Sequence, residues 1–240
     1  MWNQILNCEN EGFRERWVLN TLTKLRSEDR QKLLDVGAGL QPYKTHATNL
    51  GFEYVSHDFS LYQPASYSSE GLQNSSWEYP TADINCDILL IPETSQYELI
   101  ICTEVLEHVP NPVAAFEKMV SLLAPNGLLV ISVPLMSLMH QAPYWFQSGL
   151  SPQWFEYHSD RNSIKVDELA IYGDYADYME QEILRVFGFL NRIRGLARTR
   201  PLIKKSLRKK LSASLLESAG FGVVFIGKKV DPSVAYSPMR

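Results

Sequence analysis

Apolar residues in this chain fall into short, nearly continuous runs separated by amphipathic stretches, and that alternation sets the fold class. Lys32–Val36, Glu53–His57, Tyr97–Cys102 and Leu128–Val133 each read as a strand. The last is apolar without a break, as expected of a strand covered on both faces. Further strands are read at Ile164–Ile171 and Phe221–Lys228, and a short one ends near Cys86. Between them, Glu11–Leu25 sets Phe13, Trp17, Leu19, Leu22 and Leu25 on one side of a helix. A second helix is expected from Pro42. A third spans Pro112–Leu123, with Asn111 as its cap, Pro112 in its first turn and Pro125-Asn126-Gly127 as its stop. Strands alternating with helices imply parallel pairing through right-handed crossovers. The expectation is one α/β domain over residues 1–240 with a seven-stranded, mostly parallel sheet. It carries an N-terminal helical segment (1–30), an aromatic lid (135–162) and a helical decoration (174–218). The polar stretch Ser60–Pro80 is read as an irregular surface excursion.

Bulk composition narrows the setting. With 45% hydrophobic and 21% charged residues, 240 residues suffice for one substantial core. Cys8, Cys86 and Cys102 have neither paired nor metal-type spacing, so a reducing cytoplasm is expected. Met1-Trp2-Asn3-Gln4 does not open a signal peptide, and Leu128 to Met139 is too short to span a bilayer. The net charge of −4 hides an asymmetry: Arg192–Lys210 holds nine Lys or Arg and no acid, leaving 14 basic against 27 acidic residues elsewhere. Leu202, Ile203, Leu207, Leu211, Leu215 and Leu216 fall near one helical face there. Such a helix packs on the sheet, or meets an anionic membrane surface or a lipid-linked substrate.

The candidate chemistry starts at Leu33-Leu34-Asp35-Val36-Gly37-Ala38-Gly39, a buried strand running into a two-glycine turn. Glycines let backbone approach a ligand closely, and a following helix offers unpaired N–H groups. Twenty-one residues past Gly37, the next strand ends in Asp58, where an acid can hold a ribose hydroxyl pair. A dinucleotide fingerprint wants a third glycine where Pro42 stands, which argues against a nicotinamide-dependent oxidoreductase. Further along come Asp87-Ile88-Leu89-Leu90-Ile91-Pro92, then Tyr97 to Cys102 followed by Thr103-Glu104-Val105-Leu106-Glu107-His108-Val109-Pro110, then Leu123-Ala124-Pro125-Asn126-Gly127. Taken in this order, the chain resembles the class I S-adenosylmethionine (SAM)-dependent methyltransferases, more narrowly the small-molecule, type 11-like branch. The resemblance is dense from Arg16 to Pro134 and thinner to Gly173. It implies a Rossmann-like fold whose last strand is antiparallel.

From that resemblance, Gly37, Ala38 and Gly39 would line the methionine and ribose side of a SAM pocket. Asp35 would receive the methionine ammonium, or else cap the turn. Asp58 would accept the ribose hydroxyls, with Phe59 at the adenine edge. Asp87 would take the adenine amino group, with Ile88 against the ring, or else form a turn. Cys102 and Thr103 would lie beneath the methionine, unless Cys102 is a core thiol. Arg14 and Arg16 reach either the cofactor carboxylate or solvent. Glu104, Glu107 and His108 form an E-x-x-E-H run that methyltransferases of ubiquinone biosynthesis use to bind a divalent metal. Relatives without a known metal share it, where it orients a loop, and no metal is assigned.

Six of the 14 residues from Tyr144 to Tyr157 are aromatic, against 11% overall. They are read as a substrate wall or lid, or else as a dimer contact or satellite core. His140 and His108 are the candidate catalytic residues, with His158 as an alternative base for a hydroxyl acceptor. Tyr172, Tyr175 and Tyr178 are read as an opposite wall. The expected function is methyl transfer from SAM to a small-molecule, saccharide or lipid-linked acceptor, at oxygen. RNA methylation and a catalytically silent SAM-binding partner are the alternatives.

Overall fold

The computed structural model describes residues 5–6, 12–26, 28, 32–63, 80–94, 96–180, 182, 200–212 and 220–231. Its strands are β1 (Ile5–Leu6), β2 (Lys32–Val36), β3 (Glu53–Asp58), β4 (Ile84–Asn85), β5 (Tyr97–Thr103), β6 (Leu123–Pro134), β7 (Ile164–Tyr172) and β8 (Gly222–Lys229). They form one sheet in the order β1-β7-β8-β6-β5-β2-β3-β4. Pairing is parallel except for β8, which runs antiparallel to both β6 and β7. The seven expected strands are all present with the antiparallel last strand inserted beside β7. An eighth, β1, extends the β7 edge from within the segment read as helical, pairing Ile5 with Ile171 and Leu6 with Tyr172.

Period-two side-chain alternation builds two core layers. Leu34, Val36, Ile100, Leu129 and Ile131 face α3 (Pro112–Leu122) and α4 (Pro152–Arg161), which contribute Phe116, Met119 and Phe155. Leu33, Leu99, Ile101, Leu128 and Val130 face α1 (Phe13–Leu25) and α2 (Lys44–Asn49), which contribute Trp17, Val18, Leu22 and Ala47. Buried on both faces, the β6 run from Gly127 to Pro134 meets the expectation for a central strand.

Two boundaries differ from the sequence reading. The second helix begins at Lys44 rather than Pro42, because Gln41 turns left-handed at φ 55°. The third ends at Leu122, and β6 starts at once. Pro125 disfavours helix at Ala124, and the Lys229 ammonium takes the orphan carbonyls of Val120 and Leu123 at 2.9 and 2.7 Å. The Pro125-Asn126-Gly127 turn therefore kinks the strand, with Asn126 at φ 63°, instead of stopping the helix.

Of the basic segment, residues 192–199 lie outside the described residues. So does 64–79 of the polar excursion. The remainder includes α5 (Arg200–Lys210), which faces the acids after β7. Arg208 bonds Asp174 and Asp177 at 2.7 and 2.9 Å, and Lys204 pairs with Asp177 and Glu180. Leu202, expected on the packed face, is instead 68% exposed.

The order of strands fixes where a site can form. The chain leaves β2 towards β3 and β4 on one side, then returns to β5 on the other. Connections diverge at the carboxyl ends of β2 and β5, which leaves a crevice there.

Candidate active site

Beyond Val36, the turn is shaped by backbone geometry. Gly37 and Gly39 have φ of 67° and 51°, and a Cβ on Gly37 would come within 2.4 Å of Val105 Cγ2. Only glycine fits at position 37. The turn is tied to β3: Ala38 N–H donates to His57 O at 2.8 Å, and Gly39 N–H to Asp58 Oδ2 at 2.9 Å. Asp58 Oδ1 takes the Ser60 N–H at 2.7 Å. His57 links three strand ends, accepting from Gly37 N–H at Nδ1 (3.4 Å) and donating from Nε2 to Cys86 O (3.0 Å). A carbonyl cannot donate, so this assigns the proton to Nε2. Burial lowers the His57 pKa, in keeping with a neutral ring.

Asp35, Asp58 and Asp87 therefore stand at or just past the ends of three adjacent strands. Asp35 is 1% exposed and accepts the Tyr54 hydroxyl at 2.5 Å. Burial outweighs that bond, and the Asp58 charge adds to it, pushing the Asp35 carboxyl up to about 7. Tyr54 carried no signal on its own. It pairs with Leu33, two residues before Asp35 on the same face, so strand register alone reveals the contact. Asp87 is exposed and caps the 3-10 turn Ile88–Leu90, accepting Leu89 N–H at 2.8 Å. Ile88 below it is buried.

Across the crevice, Cys102 is fully buried in the core, its thiol pushed up by burial, and is flanked by Val36 and Ile131. Thr103 is half-buried and borders Tyr43. Glu104 follows in a left-handed conformation (φ 54°). Its oxygens take Ser132 Oγ–H at 3.0 Å and face Arg14 Nη1 at 3.4 Å. The expected E-x-x-E-H cluster is thereby divided, because Glu104 turns towards α1 and β6. Arg16 donates its backbone N–H to Gly12 O at 3.0 Å, and its guanidinium lies beside Gly12 at the start of α1.

Glu107 and His108 lie in the 3-10 turn Leu106–His108. The Glu107 side chain is wholly buried, and neither carboxylate oxygen has a hydrogen-bond partner. Burial, then the nearby Glu104 charge, raises its pKa well above the usual range. His108 Nδ1 meets Tyr144 O at 2.5 Å; burial, then His140, lowers its pKa to about 4. His140 arrives from the loop after β6 and sets its ring edge-on to His108, 4.8 Å between centroids. The two candidate catalytic histidines are thus brought together from 32 positions apart.

The loop itself is fastened down by Phe146 and Gln147 N–H groups, which donate to Glu107 O at 3.0 and 3.1 Å. The aromatic segment divides at α4. Tyr144 packs edge-on against Phe59 at 4.9 Å, and Phe146 is 44% exposed. Phe155 stacks on Phe225 in the core and Trp154 packs on Phe116, so these two belong to the core rather than a lid, while Tyr157 is 53% exposed. His158 packs against Trp154, with Glu117 and Arg161 as its charged neighbours, and is not part of the Glu107–His108–His140 group. Tyr172 is buried against Phe13, which removes it from any open wall.

A family model described as a methyltransferase domain matches residues 11–170. A ubiquinone biosynthesis O-methyltransferase of Leptothrix cholodnii is 24% identical over 120 residues, 50% of each protein. One of Glaesserella parasuis is 30% identical over 105 residues, 42% of this chain and 44% of that protein. The chain spans about half the length, or less, of the curated relatives it matches. Among solved structures, the YcgJ protein of Bacillus subtilis superposes with a TM-score of 0.53 at 11% identity, covering 90% of this chain and 99% of that one. The O-methyltransferase of a trans-AT PKS multienzyme of Brevibacillus brevis, in complex with S-adenosyl-L-homocysteine, gives 0.52 at 15% identity, covering 90% and 73%. These structural likenesses are of fold. With two-thirds of its length matched by the family model and a sheet of this topology, the chain belongs to the methyltransferase-domain family, the class I SAM-dependent methyltransferases.

Proposed function

We propose that this chain methylates a hydroxyl of a small-molecule, saccharide or lipid-linked acceptor, using SAM bound over the carboxyl ends of β2, β3 and β5. Relatives named for ubiquinone biosynthesis O-methylation favour an oxygen acceptor. The observation that carries the reading is the convergence of His108 and His140 beside Glu107, one strand end away from the glycine turn. Both rings hold their Nδ1 against a carbonyl, Tyr144 O and Leu138 O, which leaves Nε2 as the basic atom of each. A hydroxyl must lose its proton to attack a methyl group, and His140 Nε2 stands to take it, whereas burial holds His108 at about 4, a weaker base that stays neutral.

The residues present fit the cofactor's chemistry. Asp35 is a buried acid whose ionised form lacks a cation, so an ammonium would pair with it. Asp58 keeps acceptor capacity on both oxygens while its N–H bonds fix their direction. Gly37 and Gly39 keep the turn free of side chains. Asp87 already caps a turn but is exposed and can accept further. SAM supplies an already activated methyl group, which leaves the protein chiefly to position and to desolvate. Positioning falls to the 3-10 turn and the Tyr144–Gln147 strap, which Glu107 O holds in place.

Incubation with tritium-labelled SAM and fractionated small molecules, lipids and RNA tests the reading. Label is expected in the small-molecule or lipid fraction. Label confined to RNA would overturn the acceptor class, and no labelled product would overturn the enzymatic reading. RNA is disfavoured because Lys204 and Arg208, two of the five α5 cations whose side chains are described, are spent on Asp174, Asp177 and Glu180.

A further inference from the structure

We propose that Glu107, His108 and His140 bind one divalent transition-metal cation, of the zinc type, at the carboxyl end of β5. One ligand atom from each lies within 4.8 Å of the others. Glu107 Oε1 and His108 Nε2 are 3.7 Å apart. Two ligands each about 2.1 Å from a tetrahedral ion stand ~3.4 Å apart. The spacing therefore suits a shared ion, with the half-buried His140 as the third ligand.

Hydrogen bonding independently prepares the nitrogens. His108 Nδ1 faces Tyr144 O and His140 Nδ1 faces Leu138 O at 2.9 Å. Carbonyls only accept, so both protons sit on Nδ1 and both Nε2 atoms present lone pairs. A ring held through its other nitrogen by a backbone carbonyl is the usual support of a metal-bound histidine. The carboxylate supplies the second observation. Glu107 is fully buried, and its two oxygens and His108 Nε2 have no hydrogen-bond partner. A direct Glu107–histidinium bond does not account for this, since 3.7 Å exceeds the ~2.7–2.9 Å of charge-assisted pairs. The His108 proton is also already committed to Tyr144.

The ligand set chooses the ion. Two imidazoles and one carboxylate suit zinc, cobalt, iron or nickel, whereas magnesium and calcium take oxygen ligands. The set is not the contiguous E-x-x-E-H run, because Glu104 is held by Ser132 and Arg14 and a histidine from the β6 loop stands in its stead. Three protein ligands leave a coordination position open. If the proposed methyl transfer holds, the open position would take the acceptor's hydroxyl oxygen and lower its pKa so that the proton passes to solvent, in place of the general-base role of the two nitrogens, whose lone pairs would then be on the ion.

The test uses untagged full-length protein stripped by chelator, with neither SAM nor acceptor present. It is titrated with Zn²⁺ by calorimetry and with Co²⁺ by visible absorption. One equivalent should bind, Co²⁺ should develop ligand-field bands, and Zn²⁺ should displace it. His140→Ala and Glu107→Gln should each weaken Zn²⁺ by at least the ~10–100-fold that loss of an outer partner costs. Glu104→Gln should leave the affinity unchanged. No saturable binding, equal affinity in His140→Ala, or effective competition by Mg²⁺ would each overturn the proposal. Should Glu107→Gln fail to fold, His140→Ala decides alone, since its half-exposed ring is not core. Because binding is read without turnover, absence of methyl transfer would sink the functional reading and leave this one standing.

Discussion

Asp35 holds its proton against a strong pull, being buried with a single hydroxyl donor and another acid nearby. Its folded pKa, about 7, lies above its ordinary 3.8. The native state thus keeps a proton that the unfolded chain releases, and stability of the cofactor-free protein should fall as pH rises from about 4 to 7, then level off. The full span is worth up to about 4 kcal/mol. Urea unfolding across that range checks it, and Asp35→Asn should flatten the slope. If Asp35 pairs with the cofactor ammonium, the same proton must leave on binding. Affinity for S-adenosylhomocysteine should then drop roughly tenfold per pH unit below about 7, measurable by calorimetry. Gly37 gives a second residue-scale prediction. Gly37→Ala combines a left-handed backbone with overlap on Val105, for about 2–4 kcal/mol of destabilisation. Adding Val105→Ala should recover the overlap part but not the backbone part, a non-additivity that a double-mutant cycle measures.

Among the elements, α5 depends on acids from a different part of the chain. Asp174 and Asp177 cross-bond each other's N–H groups at 2.8 and 2.9 Å, then grip Arg208 together. Asp177 is 1% exposed, while the Arg208 side chain is 38% exposed, so the pair is only partly shielded from solvent. Asp177→Asn should cost about 1–3 kcal/mol, less than a fully buried pair. It should also speed tryptic cleavage at Lys205 or Lys209, seen by mass spectrometry of timed digests. The sequence marked this helix by its charge run but put Leu202 on the wrong face, because salt bridges rather than apolar burial set its rotation. β1 was missed for a related reason. Two residues carry no period, and only the free edge of β7 makes them a strand.

For the molecule as a whole, ligand linkage offers the broadest check. S-adenosylhomocysteine at a hundredfold excess over its Kd should stabilise the fold by about 2.7 kcal/mol. That raises Tm by roughly 5–10 °C for a domain of this size. Asp58→Ala should abolish most of the shift, while His140→Ala should keep it and slow methyl transfer. An unchanged shift in Asp58→Ala would remove that acid from the pocket. Among the described residues no helix is long and apolar enough to cross a membrane. What the sequence determined alone was whatever depends on neighbours in the chain: strand and helix alternation, the glycine turn, Asp58 at a strand tip, and Glu107 and His108 together just past a strand end. Local conformation and two- or four-residue periodicity need no distant partner to be read. Tertiary structure alone decided that Tyr54 bonds Asp35, that Phe155 is core rather than lid, and that His140 replaces Glu104 beside Glu107. Those pairings follow from strand register and from where a loop is fastened, and both are set by burying a sheet between two helical layers rather than by any run of residues.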